Sequence, residues 1–101
     1  MPFRIKPTRR ADEQIRDEAR WWRQNRTKAH TLFRDELRRA FEIIGEYPEA
    51  GPIAEDVDLL GVRRILLAGT QHYLYYRPNY EADRIEVLGV WSTSRGEPPR
   101  L

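Results

Sequence analysis

Three stretches in the second half of the chain decide its architecture: Val62-Arg63-Arg64-Ile65-Leu66-Leu67-Ala68, His72-Tyr73-Leu74-Tyr75-Tyr76-Arg77, and Arg84-Ile85-Glu86-Val87-Leu88-Gly89-Val90-Trp91. Each is dense in β-branched, aromatic and aliphatic side chains, the composition that fits a pleated surface. Gly69-Thr70-Gln71 makes a tight turn between the first two, and a loop opening with Pro78-Asn79 joins the last two. The spacing predicts a three-stranded antiparallel meander.

Strict alternation along these strands places apolar residues on both faces. Ile65 and Leu67 oppose Val62 and Leu66; Leu74 and Tyr76 oppose Tyr73 and Tyr75; Leu88 and Val90 oppose Ile85, Val87 and Trp91. A sheet covered on one side carries polar residues on the other. Here the second face needs the C-terminal tail, a second subunit or another chain, because large apolar patches are rarely left in water.

Upstream, the period changes from two to three and four. Phe3-Arg4-Ile5-Lys6 alternates as a short strand and Pro7 ends it. Thr8 is placed to cap a helix over Arg9–Asn25, whose apolar stripe is Ala11, Ile15, Ala19 and Trp22. Thr27 is read as the cap of a second helix with Ala29, Phe33, Leu37, Ala40, Phe41 and Ile44 on one face. A link of about two residues would fold the pair into an antiparallel hairpin. Pro48 and Gly51-Pro52 stop the second helix, an acidic loop with Glu55, Asp56 and Asp58 follows, and Gly96-Glu97-Pro98-Pro99 opens an extended tail. The expectation is an α+β fold: an N-terminal strand, a helical hairpin, then the meander, as a single domain over residues 1–101.

Composition narrows the chemistry. At 101 residues the chain has room for one modest core. It has no cysteine, which removes disulfides, thiolate metal sites and cysteine nucleophiles and suits a reducing cytoplasm. No apolar run reaches the length of a membrane span, and the N-terminus has no signal-peptide pattern. Charged residues make up 34% of the chain for a net charge of +2, and Lys6 and Lys28 are the only lysines. Residues 1–50 hold twelve Lys/Arg against nine Asp/Glu, whereas residues 51–101 hold six against seven. A basic helical half of this kind suits an acidic partner or a nucleic acid.

Catalytic motifs are scarce. His30 and His72 lie in different elements without metal-ligand spacing, and no cofactor or metal is expected. Ser92 and Ser94 lack a nucleophile elbow, and there is no glycine-rich phosphate loop. Asp12–Arg16 and Asp35–Arg39 are spaced as helix-surface ion pairs.

Three constellations carry binding potential. Arg16, Arg20 and Arg23 form a stripe on the first helix, able to meet carboxylates or phosphates or to be tied to Asp12 and Asp17. Trp21 lies about 100° round the helix from the core residue Trp22 and is either a partner anchor or a packing edge. Arg63 and Arg64, with Arg77, Arg84 and Arg95 on neighbouring strands, are cations able to line a phosphate backbone, or to pair with Glu55, Asp56 or Glu86. Alternation sends Arg63 and Arg64 to opposite faces.

The order of these elements resembles the ParE/RelE superfamily, the toxins of prokaryotic type II toxin–antitoxin systems. The likeness runs through Tyr47-Pro48-Glu49-Ala50-Gly51, the Val62–Leu66 strand, Tyr73-Leu74-Tyr75-Tyr76-Arg77, and Ile85–Trp91 with Ser94-Arg95-Gly96. It implies a RelE/ParE-like fold and a cognate antitoxin whose flexible segment wraps the toxin in a hetero-oligomer. RelE-like members cut ribosome-bound mRNA. Their pattern has an arginine where this chain has Tyr73, a basic residue where it has Thr93, and often lysines at the second helix exit and a C-terminal tyrosine. The departures look more like the ParE branch, whose characterised members inhibit DNA gyrase by binding, without catalytic residues.

On this reading Arg63, Arg64, Arg95 and Arg100 are the target-binding candidates. Trp21, Arg16, Arg20, Arg23, Leu66, Tyr75 and Trp91 are the candidates for contact with the antitoxin. Ser92–Leu101 is expected to be mobile and exposed, so that truncation after Trp91 abolishes growth inhibition and spares antitoxin binding. The alternatives are an endoribonuclease using Arg95 with Arg63 or Arg64, and a non-toxic member that only binds its antitoxin.

Overall fold

The computed structural model describes residues 2–101. Its elements are β1 (Arg4–Pro7), α1 (Arg9–Asn25), α2 (Leu32–Glu46), β2 (Arg63–Leu67), β3 (His72–Asn79) and β4 (Arg84–Ser92). The α1 start is as expected: the Thr8 hydroxyl accepts from the Ala11 N–H at 3.1 Å, satisfying one of the free donors of the first turn. The helix exposes its charges, with Asp12 and Arg16 3.0 Å apart, and buries Ala11 and Ala19.

Thr27 does not cap the second helix. Residues 26–31 form successive turns, with Ala29 N–H bonded to the Arg26 carbonyl and Leu32 N–H to that of Ala29. The helix therefore starts at Leu32, after Thr31. Asp35 pairs with Arg38 at 3.1 Å rather than with Arg39; both are neighbours one turn away, and i,i+3 serves as well as i,i+4.

The sheet has four strands in the order β1-β4-β3-β2. The meander is present, and the N-terminal strand joins it, pairing parallel to β4 with Arg4 opposite Arg84 and Pro7 opposite Val87. Helices α1 and α2 cover one face. Ala11, Ala19, Phe33, Leu37, Ala40 and Ile44 meet Leu67, Leu74, Tyr76, Ile85, Val87 and Val90 in the main core, with Ile5, Trp22 and Ile65 at its margin.

Val90 departs from simple alternation. Tyr75 pairs with Gly89 and Tyr76 with Val87, so Leu88 is an extra residue in β4. A bulge of this kind reverses the facing of everything beyond it. Ile85, Val87 and Val90 consequently share the helix side, while Leu88 and Trp91 pack on the other. The β4 edge is bare past the end of β1, and there Gln14 of α1 accepts from the Val90 N–H at 3.1 Å.

The second face supplies much of its own cover. Ala54 and Val57, in the acidic loop, pack with Val62, Tyr73, Tyr75, Leu88 and Trp91. The loop is pinned along the start of β2 by Ala54 N–H to Val62 O (2.9 Å) and Arg64 N–H to Pro52 O (3.0 Å). The tail folds back rather than extending freely: the Trp91 indole N–H donates to the Glu97 carbonyl at 2.9 Å, and Pro99 is buried. An outside lid is therefore not needed over the middle of this face. Among the described residues no helix is long and apolar enough to cross a membrane.

Candidate functional site

Each strand of the meander sends one cation or aromatic ring to the same end of the second face. Arg64, on β2, lies over the ring of Tyr73 of β3 with its guanidinium carbon 4.0 Å from the centroid. Arg95, just after β4, lies over Trp91 at 4.2 Å. Guanidinium planes stack on aromatic faces and keep their N–H edges for hydrogen bonds. Between the two pairs is an open cavity of about 220 Å³, bordered also by Asp56, Tyr75, Ser92, Thr93, Glu97 and Pro98.

Asp56 organises the rim. One of its carboxylate oxygens accepts from Arg64 at 3.0 Å and from the Tyr75 hydroxyl at 2.7 Å. Burial, then the bond to Asp56, pushes the Tyr75 phenol up to about 12, against the opposing pull of Arg64. Tyr75 is thus a fixed hydrogen-bond donor that stays protonated at neutral pH.

His72 is remote from this chemistry. It is buried near α1, with Nδ1 3.0 Å from the Thr70 carbonyl and Nε2 3.2 Å from Glu18. Among the described residues no group of three or more imidazoles and carboxylates is placed to hold a metal ion. The cavity presents two guanidinium edges and two tyrosines, of which Tyr75 already donates to Asp56, with Glu97 as a second acid on its lining. Guanidinium edges of this kind suit an anionic group.

The candidate residues divide by location. Arg64 and Arg95 converge as described. Arg63 faces away and serves the fold: its Nη1 donates to the Gly51 carbonyl at 2.8 Å, beside Tyr76, whose hydroxyl donates to Pro48 O and accepts from Gly51 N–H, both at 2.8 Å. Arg100 is exposed in the tail, across a larger cavity from Val57 and Asp58. Tyr75 is 1% exposed, so it is a core residue with a polar tip and offers no free surface to a partner. Trp91 is half-buried beneath Arg95.

Leu66 is 45% exposed and borders a groove between α2 and β2 with Ile43, Ile65 and Arg39. Trp21 is 44% exposed and meets Trp22 edge-on at 5.8 Å. Arg16, Arg20 and Arg23 lie exposed along α1; Arg16 pairs with Asp12 and Arg20 with Asp17. Asp56 and Tyr73 complete the site. Asp56 is one of the acids expected to pair with the β2 arginines, and Arg64 is the one that takes it, while Tyr73 enters the sequence reading as a departure from the RelE pattern and not as a platform for Arg64. The signals for their place in the site are an acidic residue in the loop ahead of an Arg-bearing strand, and a ring two positions before Tyr75.

Comparison with known proteins gives this geometry a setting. The fold is similar to a chromosomal ParDE toxin–antitoxin system from P. aeruginosa, at 15% identity over 89% of this chain and 95% of that one, with a TM-score of 0.68. It is similar to the isolated E. coli RelE toxin at 18% identity, 94% and 88% coverage and a TM-score of 0.63. A RelBE toxin–antitoxin complex from Mycobacterium tuberculosis matches at 16% identity, 94% and 95% coverage and a TM-score of 0.64. No curated protein matches the sequence significantly. The model of the ParE toxin of type II toxin–antitoxin systems matches residues 5–96, nearly the whole chain from β1 past Arg95, and the chain belongs to that family.

Proposed function

We propose that this protein is the toxin of a toxin–antitoxin pair in the cytoplasm: it inhibits DNA gyrase by binding and is neutralised by a cognate antitoxin in a hetero-oligomer. The observation that carries the binding mode is the pair of stacked arginines, Arg64 on Tyr73 and Arg95 on Trp91, around a cavity where the Tyr75 phenol and the Asp56 carboxylate are bonded to each other. Arg64, Arg95 and Arg100 would meet acidic groups of the target. The family match supports gyrase as that target.

For the antitoxin, the best-suited surface is the α2–β2 groove. Leu66 and Ile43 offer exposed apolar area there, and the Ile65–Leu67 part of β2 has no strand beyond it. A flexible segment that folds on binding gains main-chain bonds at a strand edge and burial in the groove. Trp21 and the α1 arginines extend the same basic half of the molecule.

A second reading, ribosome-dependent mRNA cleavage, draws on Arg64 and Arg95 facing one cavity beside aromatic rings. Expression without antitoxin separates the readings. Loss of plasmid supercoiling or DNA breakage with intact transcripts supports gyrase inhibition. Rapid transcript cleavage supports the nuclease, and normal growth indicates a chain that only binds its antitoxin.

A further inference from the structure

The opposite end of the second face holds a basic patch that the arginine–aromatic cavity does not use. Ile5 and Ile85 point into the main core, so the alternating residues Arg4, Lys6, Arg84 and Glu86 face the other way. Register places Arg4 beside Arg84 and Lys6 beside Glu86, and Arg77 of β3 beside Glu86. Glu86 is the one acid these strand positions contribute, and Arg77 holds it at 3.3 Å. Arg4, Lys6 and Arg84 form no ion pair among the described residues. Three adjacent strands thus display four cations against one carboxylate over a patch about 10 Å wide.

We propose that this patch binds the phosphate backbone of duplex DNA. Duplex DNA carries about one negative charge per 1.7 Å of its axis, so a cationic surface of this width meets several phosphates. Single-stranded nucleic acid would call for exposed rings on which bases stack, and none of these strand positions is aromatic. An acidic polypeptide would need apolar anchors to fold against. The nearby apolar residues Val62, Leu88 and Tyr75 are already packed under Ala54 and Val57. Contacts of this kind position a protein on DNA without reading sequence. They would hold the toxin against DNA engaged by its target, yet they are measurable without gyrase.

The test is fluorescence anisotropy of the full chain with a labelled mixed-sequence duplex over a salt titration from about 50 to 200 mM. The variant R4Q/K6Q/R84Q is expected to bind at least tenfold more weakly at low salt. Its log K against log salt slope should flatten by about 0.9 per cation removed, roughly 2.7 for three. The α1 variant R16Q/R20Q/R23Q is expected to keep most of both. If circular dichroism shows that the triple strand variant does not fold, K6Q and R84Q singly should each flatten the slope by about 0.9. Equal losses in the strand and helix variants overturn the proposal, as does absence of duplex binding. A preference for single-stranded RNA or polyglutamate over duplex DNA overturns it too. These outcomes leave the supercoiling assay, and with it the gyrase reading, to be decided separately.

Discussion

The Tyr75 hydroxyl donates to the Asp56 carboxylate at 2.7 Å, joining the centre of the sheet to a loop nineteen positions earlier in the chain. The same oxygen receives Arg64, so one acid fixes both the loop and the cation of the candidate site. Replacing Asp56 with Asn is expected to cost about 1–2 kcal/mol in urea unfolding, because a charge-assisted bond becomes a neutral one. The same change should bring Tyr75 titration down from about 12 toward the ordinary tyrosine range, read by absorbance of the phenolate.

That phenol also sets an alkaline limit. Its folded pKa lies above its unfolded value near 10, so its contribution to stability is complete below pH 10 and is lost as pH rises toward 12. Denaturant midpoints measured across this window should fall more steeply for the native chain than for Tyr75→Phe.

Gly51 sits where two elements nearly touch. A Cβ built there would lie 2.6 Å from the Arg64 carbonyl oxygen and 2.9 Å from the Tyr76 hydroxyl. Gly51→Ala must displace backbone, and a loss of about 1–3 kcal/mol is expected. Tyr76→Phe keeps the ring but leaves the Gly51 N–H without its partner, and should cost about 1–3 kcal/mol. Thermal melts of both, and of the double variant, should give less than the sum, since they disturb one contact.

Glu36 reaches from α2 to the turn between β2 and β3, accepting from Gly69 N–H at 2.6 Å and Thr70 N–H at 2.9 Å. Glu36→Ala should destabilise the chain by about 1–3 kcal/mol. Hydrogen exchange would show the loss concentrated in the amides of Gly69 and Thr70.

Deletion after Ser94 keeps β4 whole and removes Glu97, the acceptor for the Trp91 indole, and Arg95 and Arg100. Growth inhibition should disappear while capture by the antitoxin persists, with Trp91 fluorescence shifting to the red. Equal loss of both would mean that the tail is needed for folding.

The elements were legible where the evidence for them is local. The Ala11–Trp22 stripe, the Thr8 cap and the dense apolar runs after Val62 each announce a structure within a few residues. What escaped depends on partners far away. Nothing near Arg4 says that its strand will lie beside Arg84, and nothing in Leu88 itself marks it as the inserted residue that turns Val90 inward. Ala54 and Val57 are modest apolar residues among acids, so their role as cover for Tyr75 was hidden by composition. Arg63 and Arg64 were correctly parted by alternation, but only the fold shows that one serves the backbone and the other the site.

The pairing of β1 with β4 has a consequence for synthesis. Arg4 and Arg84 are eighty positions apart, so a growing polypeptide cannot close this seam until β4 has left the ribosome. Early contacts can come only from the helices and, later, the β2–β3 turn, while the long closure carries its entropic cost to the end. The sheet is therefore completed only once β4 has emerged, and β1 waits with its edge unpaired through the synthesis of everything between.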